Sequence, residues 1–86
     1  MERIGSAIGR IQSKYLSLVP SEKRIADYIL EHPAEAARMS SDQVSELSQV
    51  SKTTVTRFCH KLGYEGFKDF KYALILSTAD GKDIFQ

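Results

Sequence analysis

An all-α bundle of about five to six helices is the fold class predicted for this chain of 86 residues. Three observations predict it. Apolar residues recur at steps of three and four along most of the sequence, the spacing that lines one face of a helix. No sustained period-two alternation and no Asn-Gly hairpin signal interrupts them. Hydroxyl residues stand where helices would start, and glycine where one would stop. A chain this short has room for one core, because domains of its size bury only about 60% of the surface their unfolded chains expose.

The elements follow in order. Ile4, Ile8, Ile11, Tyr15 and Leu18 define an amphipathic first helix over about residues 2–17, with Arg3, Arg10, Gln12 and Lys14 between them. Val19-Pro20-Ser21 breaks it, and Ser21 is the expected N-cap of a second helix carrying Ile25, Ala26, Tyr28, Ile29 and Leu30. Pro33 ends that helix and can open a short third one, to Arg38, because its missing N–H is not needed at a first helical position. Ser40-Ser41-Asp42-Gln43 fits a capping box for a fourth helix, running to Ser48 and burying Val44, Leu47 and Ser48. Ser51 is placed to cap a fifth helix, which Gly63 can close in a left-handed conformation. Gly66 precedes a sixth, from Phe67 to Ser77, with Phe67, Phe70, Leu74 and Ile75 inward. Residues 1–77 therefore read as one domain and the polar residues 78–86 as a linker.

Composition narrows the function. The sequence is 42% hydrophobic and 27% charged, as expected of a soluble globular domain. Its longest apolar run, Tyr72 to Leu76, falls far short of the roughly 20 residues that a membrane span requires. The polar N-terminus offers no secretory signal, and the one cysteine, Cys59, allows no internal disulfide, so a cytoplasmic location is expected. Net charge is only +1, but it is uneven: residues 1–50 hold six Lys/Arg and seven Asp/Glu, residues 51–86 six and four. From Ser51 to Tyr64 there are three cations, Lys52, Arg57 and Lys61, together with His60 and no acid.

Helix four, the turn Gln49-Val50 and helix five have the layout of a helix-turn-helix. Val44 and Ser45 take the core positions of its first helix, Val50 that of the turn, and Val55, Phe58, Cys59 and Leu62 the inner stripe of the second. That arrangement throws Lys52, Thr53, Thr56, Arg57, His60 and Lys61 outward. A helix lying in a major groove presents such a face to base edges, while its N-terminus favours phosphate. Ser51 and Lys52 suit backbone contacts; Arg57 can fork onto guanine, and Thr53 and Thr56 can bond to a base or touch a thymine methyl. The plainer reading is a merely solvated helix, and two capped helices at this spacing weigh against it.

Other chemistry is poorly supplied. No acid/base pair, glycine-rich phosphate loop or nucleophile elbow is present, so no enzyme and no cofactor are expected. Cys59 and His60 are neighbours about 100° apart on a helix and cannot face each other as nucleophile and base. His32, before Pro33, reads as a helix-end residue, and two histidines with one cysteine make no recognisable zinc site. Stacking residues for single-stranded RNA are missing from the exposed face. The competing reading is a helical interaction module without DNA binding, with Ile4, Ile8, Ile11 and Tyr15 as candidate dimer contacts; the same stripe could complete the domain's own core.

The stretches PSEKRIADYILEHP, MSSDQVSELSQVS and TTVTRFCHKLGYEGFKDFK closely resemble the N-terminal helix-turn-helix domain of the RpiR family of bacterial transcription regulators. The resemblance spans about residues 3–77. It implies a homodimeric regulator of sugar or amino-sugar metabolism that binds a double-stranded operator. Residues 78–86 would lead toward a sugar-isomerase-like domain, outside this chain, that holds a phosphosugar effector. The residues it places at DNA are those from Ser51 through Lys61, among them Ser51, Lys52, Thr53, Thr54, Thr56, Arg57, His60 and Lys61, with Lys68 beside them on a phosphate; Ser40 and Ser41 are further DNA-binding candidates. One departure stands out: Gln49 fills the turn position usually held by glycine. A positive φ there would cost a non-glycine residue about 1 kcal/mol.

Overall fold

Two glutamines, two prolines and two serines set most of the helix boundaries in the computed structural model, which describes the backbone of residues 7–84 and the side chains of residues 7–78. The described elements are α1 (Ala7–Lys14), a 3-10 turn (Tyr15–Ser17), α2 (Pro20–Glu31), α3 (Pro33–Ala36), α4 (Ser41–Ser48), α5 (Lys52–Lys61) and α6 (Phe67–Ile84). No strand occurs among the described residues. The all-α expectation holds.

The core is one cluster to which every helix contributes. Ala7, Ile11, Ile25, Ala26, Ile29, Ala36, Val44, Val55, Phe58, Cys59, Leu62, Phe70 and Leu74 are all buried. Phe58 and Phe70 meet edge to face with centroids 5.7 Å apart, joining α5 to α6. Such a pair adds about 0.5–1.5 kcal/mol beyond the area it buries. Tyr64 packs edge-on against Phe70 as well and carries the cluster into the loop after α5.

Several boundaries differ from the sequence reading, each for a physical reason. Ser21 does not cap α2; Val19 does, Pro20 takes the first helical position, and the Val19 N–H donates to Glu22 Oε1 at 3.1 Å. The proline has φ preset for a helix, so α2 starts one residue before the hydroxyl could act. Leu47 is 53% exposed rather than buried. Val44, Ser45 and Ser48 already fill the inner arc of α4, and at 100° per residue Leu47 falls well outside it. Ile75 is likewise exposed, since Phe67, Phe70 and Leu74 hold the inner arc of α6. α6 also runs past Ser77 to Ile84, through residues expected to be a linker. Propagation adds a hydrogen bond for each residue fixed, and one interior glycine opposes it by only about 1 kcal/mol.

The first helix narrows the candidates for dimer contacts. Ile11 is fully buried in the domain's own core, and Ile8 and Tyr15 pack partly against it. Tyr15 also donates its hydroxyl to Asp27 Oδ1 at 2.8 Å. Ile11 is therefore unavailable to a partner; Ile4 lies outside the described residues. No described helix is long and apolar enough to cross a membrane.

Candidate nucleic-acid interface

α4 and α5 are set by caps of one kind. At α4 the Ser40 Oγ accepts from the Gln43 N–H at 3.2 Å while Gln43 Oε1 accepts from the Ser40 N–H at 3.0 Å, the reciprocal box the sequence predicts. At α5 the Ser51 Oγ accepts from the Thr54 N–H at 3.1 Å and shares a hydrogen bond with Thr54 Oγ1 at 3.0 Å. Thr54 is thus half-buried and turned toward the cap, away from the outward set.

Between the helices Gln49 takes φ 60° and ψ 44°, the left-handed region. Its N–H donates to the Glu46 carbonyl at 3.1 Å and the Val50 N–H to the Ser45 carbonyl at 3.0 Å. This pair of bonds is a Schellman motif, which satisfies the last carbonyls of α4 and reverses the chain within two residues. Ser45 and Ser48 are buried on the inner side of α4, and Val50 is half-buried against the core. A larger side chain at Ser48 would have to displace its buried surroundings. Its hydroxyl has no hydrogen-bond partner among the described residues, so smallness rather than polarity suits the site.

The inward and outward faces of α5 fall where the sequence places them. Val55, Phe58, Cys59 and Leu62 are buried, whereas Lys52, Thr53, Thr56, Arg57, His60 and Lys61 are exposed. Burial pushes the Cys59 thiol up to about 12, so it stays protonated and inert, as a structural thiol should. Among the described residues no group of three or more His, Cys, Asp or Glu could hold a metal ion.

The outward cations are not equally free. Lys52 Nζ lies 2.8 Å from Asp42 Oδ1, and that hydrogen bond raises the Lys52 pKa above its ordinary value. Lys61 Nζ lies 2.8 Å from Glu22 Oε1, a carboxylate 3% exposed. His60 Nε2 is 3.0 Å from the Glu65 carbonyl. Arg57 is exposed and has no acidic partner among the described residues. Lys68 is exposed beside Glu65, Asp69 and Tyr72, with which it lines an open groove at the start of α6. Ser40 is exposed and Ser41 half-buried, both at the N-terminus of α4.

The family described as the helix-turn-helix domain of the rpiR family matches residues 6–81. The chain belongs to that family. An uncharacterized HTH-type transcriptional regulator of Haemophilus influenzae is 39% identical over 85 residues, covering 96% of this chain and 30% of that protein. The HTH-type transcriptional regulator HexR of Pseudomonas aeruginosa is 36% identical over 84% of this chain and 25% of its own length. The crystal structure of the N-terminal domain of the transcriptional regulator ybbH of Bacillus subtilis superimposes with a TM-score of 0.77 at 39% identity, covering 80% of this chain and 84% of that one. The Vibrio vulnificus NanR protein complexed with ManNAc-6P gives a TM-score of 0.81 at 29% identity, over 92% of this chain and 31% of NanR. The chain thus spans less than a third of the length of the curated relatives it matches.

Three residues of this rpiR-type domain bear on the interface without being legible in its motifs. Asp42 and Glu22 are the acids that hold Lys52 and Lys61. Arg10, from α1, donates to the Leu62 carbonyl at 2.9 Å and lies 4.9 Å from the centre of the Tyr64 ring, tying the end of α5 to the first helix. Each acts across tertiary space, where periodicity carries no signal.

Proposed function

We propose that this domain binds double-stranded DNA by laying α5 in the major groove, as the DNA-reading part of a transcription regulator. One observation carries the reading. A capped helix, pinned by a buried stripe and entered through a tight turn, turns Thr53, Thr56 and Arg57 to solvent with no acid of its own helix nearby. Arg57 can fork onto a guanine and the threonines can meet adenine or thymine edges. Ser40, Ser41 and Ser51, at the N-termini of α4 and α5, suit backbone phosphates, because unsatisfied amides and the helix dipole favour an anion there. His60 and Lys61 lie at the far end of α5, and Lys68 beyond it; each has acids or carbonyls close by and is assigned a lesser share of contact.

The regulator is proposed to act in the cytoplasm as a homodimer on a two-fold operator, and to sense a phosphorylated sugar or amino sugar through a region outside this chain. The relationship to NanR, a protein described with ManNAc-6P, supports that effector class. No catalytic role is proposed.

Selection of preferred duplexes from a random pool, followed by anisotropy titration, tests the assignment. Arg57→Ala is expected to lose about 1–3 kcal/mol on the selected site and to relax preference at one position. Binding of selected and random duplexes indistinguishable from the parent would overturn α5 as the reading element.

A further inference from the structure

We infer that Asp42 sets how tightly this domain holds DNA of any sequence, by competing with phosphate for Lys52. The inference rests on the DNA-binding reading. Asp42 lies in the first turn of α4 and Lys52 in the first turn of α5, so their 2.8 Å pair spans the turn and joins the two helix ends proposed to meet phosphate. Both side chains are mostly exposed, at 70% and 65%. An exposed pair of this kind holds weakly and can be exchanged.

The carboxylate is not needed to cap α4. Ser40 and Gln43 already make both bonds of the capping box. Nor can Lys61 take the place of Lys52, because it serves Glu22, which is buried. Lys52 is therefore the lysine of α5 whose charge can move between an internal acid and a phosphate. While it stays on Asp42 the pair is neutral to an approaching strand. When it leaves for a phosphate, the pair with Asp42 is given up, which offsets part of the new contact. Either way Asp42 lowers affinity uniformly across sequences, leaving discrimination to Arg57 and the threonines. Asp42 is a positioning residue that acts through Lys52.

The test is anisotropy titration of the chain with a random-sequence duplex at several salt concentrations, folding being checked by circular dichroism melts. Each phosphate contact contributes a slope of about −0.9 in log affinity against log salt. Asp42→Asn is thus expected to bind about eightfold tighter near 0.1 M salt and to converge with the parent near 1 M, with a slope steeper by about 0.9. In a Lys52→Met background the same substitution is expected to change nothing. Binding by the parent with an unchanged or weaker Asp42→Asn variant, or a gain that persists without Lys52, overturns the inference and leaves the DNA reading standing. Failure of both parent and Asp42→Asn to bind any duplex at low salt overturns the DNA reading itself.

Discussion

At its first turn α5 meets α4 through an exposed lysine and an exposed acid; at its last turn it meets α2 through a lysine whose acid is buried. The turns that flank it differ in the same sense. Gln49, before α5, holds a positive φ on an exposed non-glycine residue, whereas Gly63, after it, holds φ 96° directly under the Arg10 guanidinium. Both turns make the same Schellman pair of bonds, the second from Gly63 to the His60 carbonyl at 2.9 Å and from Tyr64 to the Cys59 carbonyl at 3.0 Å. The difference lies in what surrounds them. The exit of α5 is fastened by Arg10, Tyr64 and Glu22, and the entry keeps its charges loose and near the proposed phosphates.

The largest expected effect comes from the stripe common to both ends. Phe58 is fully buried against Phe70, and Phe58→Ala is expected to lose about 3–5 kcal/mol, enough to unfold a domain of this size. A thermal melt monitored by circular dichroism checks it. A variant melting with the parent would mean that α5 is held by its ends alone.

The two lysines come next. Lys61→Ala strands the Glu22 carboxylate with the Val19 N–H as its remaining partner, and about 2–3 kcal/mol should be lost. Lys52→Ala, at an exposed pair, should stay within about 0.5 kcal/mol of the parent. Urea unfolding of the two single variants measures the contrast directly. Adding Glu22→Gln to Lys61→Ala should recover part of the loss, since the stranded charge is removed. Equal losses at the two lysines would erase the distinction between a fastened and a loose end.

How much of this was legible in the sequence follows from the range of each interaction. The caps at Ser40 and Ser51, the Gly63 stop and the inner stripe of α5 are local, made within four residues, and spacing reveals them. So do the outward positions of Thr53, Thr56 and Arg57. Leu47, three residues after Val44, and Ile75, next to Leu74, look inward by spacing until the arc is filled by others. Ser21 lost its place to Pro20 for want of one residue of offset. Glu22, Asp42 and Arg10 could not be found, because their partners lie 39, 10 and 52 positions away and meet only after the helices pack. Lys61 illustrates the cost: its place on the outward face reads as a DNA contact, and the structure gives it to a buried acid.

The finest comparison is between the two left-handed residues themselves. A Cβ at Gly63 would sit 2.9 Å from Arg10 Nη1, an atom already held by the Leu62 carbonyl. Gly63→Ala therefore carries backbone strain and displaces a tethered guanidinium, and should cost about 1–2 kcal/mol. In an Arg10→Ala background the steric share should vanish and only the strain remain. Gln49→Gly runs the other way. Relief of the left-handed strain exceeds the extra entropy that glycine gives the unfolded chain, for a net gain of about 0.5 kcal/mol. In a domain of this length that is a rise in Tm of about 2–4 °C. If Gln49→Gly instead lowers Tm, the Gln49 side chain makes a stabilising contact that outweighs its φ, and the entry to α5 is more firmly built than its exposed surface suggests.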